Sequence, residues 1–554
     1  MQSNPRPMIG IATLLFSLSS AATLVALSPT QSQDQRSQEK KDEVMKSDTV
    51  LRTNTRLVVT DVVATDSNGK PVTNLSVDDF KVLENGRPQR VANFSFHQPA
   101  AQVASRTVSL PPDVITNMPA YTASSMNIIL FDSANGDASE HAYARDELMK
   151  FLATAEIHEP LAIFALHTDL KLLHDFTTDG KALREAVAAY KPPASFQSGE
   201  SIESRASAFS NNGNFHTNQR NIETTLNQLN ALAKVLIGYP GRKNLIWLSE
   251  SFPLDLFPDI ATQVNMSGQD LRSAETSTGG PSSRENMQNS GNFKNYAALV
   301  KKVSDALMNA HVAIYPVDAG GLSRDDRLAA QHTMNDMASW TGGRAFINRN
   351  DIAIGMKNSL EDGSVYYTLE YYPDNKQWDG QFRAIKVSVD RPGINLRYRE
   401  GYYAVDPAKI AKEEADQVAE NFSRSLQADS PSATAILFQA QVTPPSPKNN
   451  KVIVTFHVDP KTLTFEHKDD GHEFAKVNCT VWAYGKDKNK PLMSNNDTVT
   501  ANLKREDYQL MMKQQFFPCK RELELKPGSY QLKLGVLDRT SNRMGTASAA
   551  VTVQ

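Results

Sequence analysis

The acidic turn Asp132-Ser-Ala-Asn-Gly-Asp137 brings together side chains that could do chemistry. The apolar run Asn127-Ile-Ile-Leu-Phe precedes it, and a helical pattern from Ala138 to Glu156 follows. A run of about six apolar residues is the length of a fully buried central strand. Asp132 then falls at the carboxyl end of that strand, on the rim where open α/β sheets bind ligands. A carboxylate in that position can hold a cation, or it can cap the following helix and accept hydrogen bonds from loop amides. Asp318, at the end of a second apolar run, and Glu250, after a third, would join it in an acidic rim or simply be solvated.

Other reactive arrangements fail on spacing. The chain has no Gly-x-Ser-x-Gly elbow and no His-Glu-x-x-His pair, and His311 and His332 stand alone on helical patterns. Gly238-Tyr-Pro-Gly-Arg-Lys-Asn lacks phosphate-loop spacing and precedes a strand, so it reads as a helix stop. These absences lead to the expectation of a protein that is not an enzyme. The only two cysteines, Cys479 and Cys519, read as one disulfide in an exported chain, or as two buried thiols. On the loop-entropy model such a bridge adds about 3–4 kcal/mol. Tyrosine pairs at 366–367, 371–372 and 402–403 suit strand cores, or an exposed patch that docks a partner.

The 554 residues are 40% hydrophobic and 22% charged, with a formal charge of −3. That balance suits several globular domains and gives no bulk attraction to nucleic acid or anionic membranes. Arg6 and the apolar stretch after Met8 read as a signal peptide over residues 1–28, with an uncleaved membrane anchor as the alternative, and polar residues 29–49 read as a disordered linker. No later run approaches the ~18 apolar residues that spanning a bilayer requires. The expected location is therefore periplasmic, cell-envelope or secreted.

Residues 50–98 are β-patterned, with a hairpin turn at Asn85-Gly86, and are too few to stand alone. They are expected to pair with the β-patterned residues 364–403 in one sandwich. Residues 99–125, rich in Pro, Ala and Ser, read as a connector. From 126 to 361 strand and helix alternate, which predicts a mostly parallel sheet covered on both faces. Expected strands are 127–132, 160–167, 170–175, 243–249, 312–317 and 344–347, with an antiparallel hairpin around Thr168-Asp169. A polar loop spans 255–292, a helical spacer 406–428, and an all-β sandwich 433–554.

Four stretches carry a family resemblance. They are Ile128-Ile-Leu-Phe-Asp132, Gly238 to Glu250, Val312-Ala-Ile-Tyr-Pro-Val-Asp-Ala-Gly-Gly-Leu322, and Thr341-Gly-Gly-Arg-Ala-Phe346 continuing to Tyr403. In that order and spacing the chain resembles von Willebrand factor A-related proteins of the acidobacterial type, over roughly residues 50 to 405. The resemblance implies a doubly wound α/β domain flanked by β-sandwiches. It also implies a divalent-cation site built from an Asp-x-Ser-x-Ser turn, a distant Thr and a distant Asp. Asp132 matches the first position, whereas Ala134 and Gly136 stand at the two serine positions. Thr217 is the nearest candidate for the threonine, and Glu250 falls where the distant Asp belongs. Ser133, Asn135, Asp137 and Glu250 would then join Asp132 as oxygen donors for a degenerate Mg²⁺ or Ca²⁺ site. The expected function is protein binding or adhesion at the carboxyl edge of the sheet, with an envelope scaffold or a non-catalytic recruiting subunit as alternatives.

Overall fold

The structure, a computed structural model, describes residues 57–99, 104–105, 110–111, 113–119, 121–135, 138–191, 213–249, 297–319, 328–347, 351–406, 409, 412, 418–446, 451–514 and 516–553. Within its helices, the side chains of 138–140, 213–220, 297–298, 328–330 and 332 are not described. Residues 1–49, the loop 255–292, Asp137 and Glu250 lie outside the described residues.

The first strands are β1 (Val58–Thr65), β2 (Phe80–Glu84), β3 (Arg87–Gln89) and β4 (Val91–His97). Asn85 and Gly86 have φ of 48° and 78° between β2 and β3, which the two-residue turn of a right-twisted hairpin requires. The short β5 (Ala104–Ser105), β6 (Val114–Thr116) and β7 (Tyr121–Thr122) lead to the central domain.

The central domain contains β8 (Ser125–Asp132), α1 (Ala138–Thr154), β9 (Leu161–Leu166), β10 (Leu170–Thr177), α2 (Gly180–Ala189), α3 (Gly213–Leu236), β11 (Arg242–Ser249), α4 (Ala297–Asn309), β12 (Val312–Asp318), α5 (Leu328–Thr341) and α6 (Ile352–Asp362). Its sheet runs β10-β9-β8-β11-β12. Every neighbouring pair is parallel except the β9–β10 hairpin. Every residue of β8, β9, β11 and β12 is buried, because apolar side chains leave both faces and helices cover both. Ile128, Leu130, Leu245 and Trp247 face α3, α4 and α5 through Leu226, Leu229, Leu307 and Met337. Ile129, Phe131, Ile246 and Leu248 face α1, α2 and α6 through Leu148, Phe151, Leu183 and Met356. In place of the expected strand 344–347, Phe346 makes a single parallel bridge to Val317. Gly342 and Gly343 turn the chain so tightly there that a Cβ on Gly343 would lie 1.9 Å from the Ile314 carbonyl. That leaves only a short segment to extend along β12.

After the sheet come β13 (Tyr366–Tyr371), β14 (Phe382–Val389), β15 (Asn395–Arg397) and β16 (Gly401–Tyr403). They interleave with the first strands in two four-stranded sheets, β15-β1-β13-β4 and β16-β14-β2-β3. Tyr367, Tyr371 and Tyr402 are buried between them. The hydroxyls of Tyr371 and Tyr402 both donate to Glu84 Oε2, at 3.0 and 2.9 Å, and Arg383 pairs with the same carboxylate.

The C-terminal part holds α7 (Val418–Ser425), β17 (Phe438–Thr443), β18 (Val452–Val458), β19 (Glu466–His467), β20 (Glu473–Tyr484), β21 (Met493–Leu503), α8 (Arg505–Gln514), β22 (Phe517–Leu523), β23 (Gly528–Asp538) and β24 (Met544–Val553). One sheet runs β22-β18-β17-β6, and the other β19-β20-β23-β24 with β21 on β20. Cys479 of β20 and Cys519 of β22 form a disulfide between the two sheets, with Cα atoms 6.6 Å apart.

Two details differ from the sequence reading, and the expected helical spacer is found packed against β23 and β24. Residues 114–116 of the connector form an edge strand of the C-terminal sheet, fixed by Asn117, whose amide donates to the carbonyls of Ala433 and Ile436. The spacer contains α7, whose Val418 and Phe422 pack with Leu426, Leu537 and Met544. An exposed helix, α8, interrupts the expected all-β region, with Glu506 and Asp507 in its first turn and Lys513 in its last, as the helix dipole favours. No described helix is long and apolar enough to cross a membrane.

Candidate functional site at the carboxyl edge

Asp132, Ser249 and Asp318 end three adjacent parallel strands. Ser249 is paired with Asp318, and Leu248 with Phe131, so the three residues align as a row across the carboxyl edge. All three are buried, with 1–3% of their surface exposed.

The Asp132 carboxylate accepts five hydrogen bonds. Its Oδ1 takes the backbone N–H groups of Ala134 and Asn135 at 3.0 and 3.1 Å, closing the loop on itself as an Asx turn does. Its Oδ2 takes Asn135 Nδ2 at 2.9 Å, Trp247 Nε1 at 3.2 Å and Ser249 Oγ at 2.9 Å. An ionised carboxylate offers about four lone-pair sites, so these donors fill it. Burial pushes the Asp132 pKa upward, and the bonds from Asn135, Ser249 and Ala134 pull it only part of the way back.

The flanking donors are committed as well. Ser133 Oγ donates to the Leu166 carbonyl at 2.9 Å and meets the Tyr190 hydroxyl at 3.1 Å. Asn135 Nδ2 also reaches Thr225 Oγ1 at 3.3 Å. The carbonyls of Ser133 and Asn135 face His167 and His141, at 3.0 and 2.8 Å.

A hard cation needs several oxygens facing one open point. Here Asp132 is filled, Ser133 is turned to Leu166 and Tyr190, and Asn135 presents its N–H₂ to Asp132. Among the described residues, no group of three or more His, Cys, Asp or Glu side chains gathers around a point. The described residues at Asp132 therefore do not by themselves fit Mg²⁺ or Ca²⁺, and Asp137 and Glu250 lie outside them. The described residues make a knot that ties β8 and its loop to α3 and β11.

The sequence reading missed Trp247, Ser249 and Thr225. Trp247 and Ser249 are two apart on a strand and so share a face, a signal that was legible once β11 was placed beside β8. Thr225, fully buried on α3, contacts Asn135; Thr217 lies on the same helix, and its side chain is not described. His311 has φ of 53° in the turn before β12 and lies 3.8 Å from Asp61 of β1, a structural contact far from this edge.

No protein-family model matches the chain, and no curated protein sequence matches it. Solved structures give distant likenesses. One is proximal thread matrix protein 1 from the mussel byssus, at 9% identity over 43% of this chain, with a TM-score of 0.23; the match spans 48% of the mussel protein. A second is the ArnB paralog VWA2 from Sulfolobus acidocaldarius, at 9% identity over 66% of this chain and 84% of that one, with a TM-score of 0.20. A third is a von Willebrand factor type A protein from Catenulispora acidiphila, at 12% identity over 60% and 83%, with a TM-score of 0.18. Likenesses this distant do not place the chain in a family.

Proposed function

We propose that the chain is an exported, non-enzymatic protein-binding or adhesion module of the von Willebrand factor A-related, acidobacterial type. Its doubly wound sheet presents the carboxyl edge to a protein partner without a resident metal ion. The observation that carries this reading is the row Asp132, Ser249 and Asp318 across three parallel strands, from which residues 250–296 and 320–327 depart. Binding and catalytic residues concentrate on loops held by a rigid scaffold. The knot around Asp132 supplies that rigidity, since its five donors come from the loop itself and from β11.

The test is cross-linking capture of partners from the source cell envelope, with the wild-type chain, with a chain lacking 255–292, and with the wild type in EDTA. The expected result is a partner held by the wild type in both buffers and lost with the loop. Partners that all survive the deletion would sink the reading, and loss in EDTA would restore a metal to it.

A further inference from the structure

The amino end of the same sheet carries a second buried carboxylate. Glu159 precedes β9 and is only 9% exposed. Its Oε2 accepts from Ser125 Oγ at 2.5 Å and from Asn127 Nδ2 at 3.2 Å. Asn127 is fixed in turn, since its Oδ1 accepts from Asn244 Nδ2 at 3.0 Å, and Asn244 Oδ1 accepts from Arg242 Nε at 3.2 Å. Gly363 closes this relay: a Cβ there would lie 2.0 Å from Asn244 Oδ1. Among the described residues, the other oxygen of Glu159, Oε1, has no hydrogen-bond partner.

Glu159 lines a groove of about 1060 Å³ between the end of α1 and α6. Ile157, Ile354 and Leu360 supply apolar wall, and Ile354 is 46% exposed. Glu156, Asp351 and Glu361 line the groove too, and Lys357 is the only Lys or Arg among the lining residues. Lys357 pairs with Glu361 at 3.8 Å and His158, also in the lining, lies 3.5 Å from Glu156, so Glu159 and Asp351 leave the groove with an excess of negative charge beside its apolar walls.

We propose that this groove docks a basic amphipathic segment of a partner protein, with a lysine or arginine head reaching Glu159 Oε1 and aliphatic side chains covering Ile157, Ile354 and Leu360. Long cationic side chains bury an apolar stem while the charged head reaches a polar group, which is the sequence of surfaces this groove offers. A buried carboxylate with one free oxygen gains a charge-assisted hydrogen bond from such a head. A neutral apolar occupant would seal Glu159 away from water without a donor, and an acidic one would meet like charge. The site lies at the end of the sheet opposite the loops of the proposed function and does not depend on them.

Fluorescence anisotropy tests this, using a labelled amphipathic peptide of leucine and lysine and its leucine–glutamate counterpart, in about 150 mM salt to screen diffuse attraction. The lysine peptide should bind the wild type and the chain lacking 255–292 equally. It should bind Glu159→Gln and Ile354→Ser about tenfold more weakly or worse. Ile354 is exposed on α6, so its replacement keeps the test valid even if Glu159→Gln disturbs folding. Glu506→Gln, on the exposed helix α8, should bind as the wild type does. Equal affinity across all the chains, or binding of the glutamate peptide, would overturn the proposal.

Discussion

Asp132 and Glu159 sit at opposite ends of the neighbouring parallel strands β8 and β9, both nearly sealed from water. Burial raises the pKa of each. Their surroundings differ in one respect that decides what each can do. Asp132 has donors on both oxygens, drawn from its own loop and from a strand more than a hundred residues away. Glu159 has donors on one oxygen only, and its side chain lines a groove of mixed apolar and acidic wall. The carboxylate at the edge where α/β sheets ordinarily bind ligands is used up by the fold, and the one at the opposite edge keeps capacity to spare. A rim carboxylate in a strand-then-turn sequence therefore marks a place in the fold. Its availability depends on how many donors the surrounding elements bring.

Asp132→Ala should break the comparison hardest. It removes the shared acceptor of five hydrogen bonds in a buried site and should lower the unfolding free energy by about 3–5 kcal/mol. Glu159→Ala strands two donors and should cost about 1–2 kcal/mol. Denaturant unfolding of the full chain measures both, and equal losses would contradict the contrast.

The pH dependence of stability sharpens it next. A group whose pKa is raised on folding binds its proton more tightly in the folded chain, so its contribution is present below the unfolded value and fades as pH rises. The wild type should therefore lose stability relative to Asp132→Asn as pH climbs from about 4. Asp61 has the opposite sign. Burial works to raise its pKa, but the His311 hydrogen bond and charge, with Arg242 and Thr368, bring it down to about 2. Its contribution should hold above about 4 and disappear as pH falls toward 2, so the cost of Asp61→Asn should shrink over that interval.

Trp247→Phe removes a single donor from Asp132 and should cost about 1 kcal/mol in the same unfolding assay. Glu159→Gln should change stability least, within about 0.5 kcal/mol, because the carboxamide oxygen still accepts from Ser125 and Asn127.

Much of the central sheet was legible because its strands are short apolar runs separated by helical periodicity. Ile128 to Phe131 and Leu245 to Leu248 place alternate side chains on the two helix-covered faces. The edges were less legible. β6 is three residues in a Pro-, Ala- and Ser-rich stretch, with no pattern until β17 is beside it. At the candidate site, Asp132 could be located from its own neighbours. Its saturation could not, because Trp247 and Ser249 reach it only through the β8–β11 pairing. Glu159 belongs to no motif, and its significance comes from α6, which packs nearly two hundred residues later in the chain.

Isothermal titration calorimetry with Mg²⁺ and Ca²⁺ on the wild type and Asp132→Asn tests most directly whether the carboxyl-edge carboxylate is closed. The prediction is no saturable heat from either protein. A saturable heat in the wild type that vanishes in Asp132→Asn would show that Asp132 is a metal ligand after all.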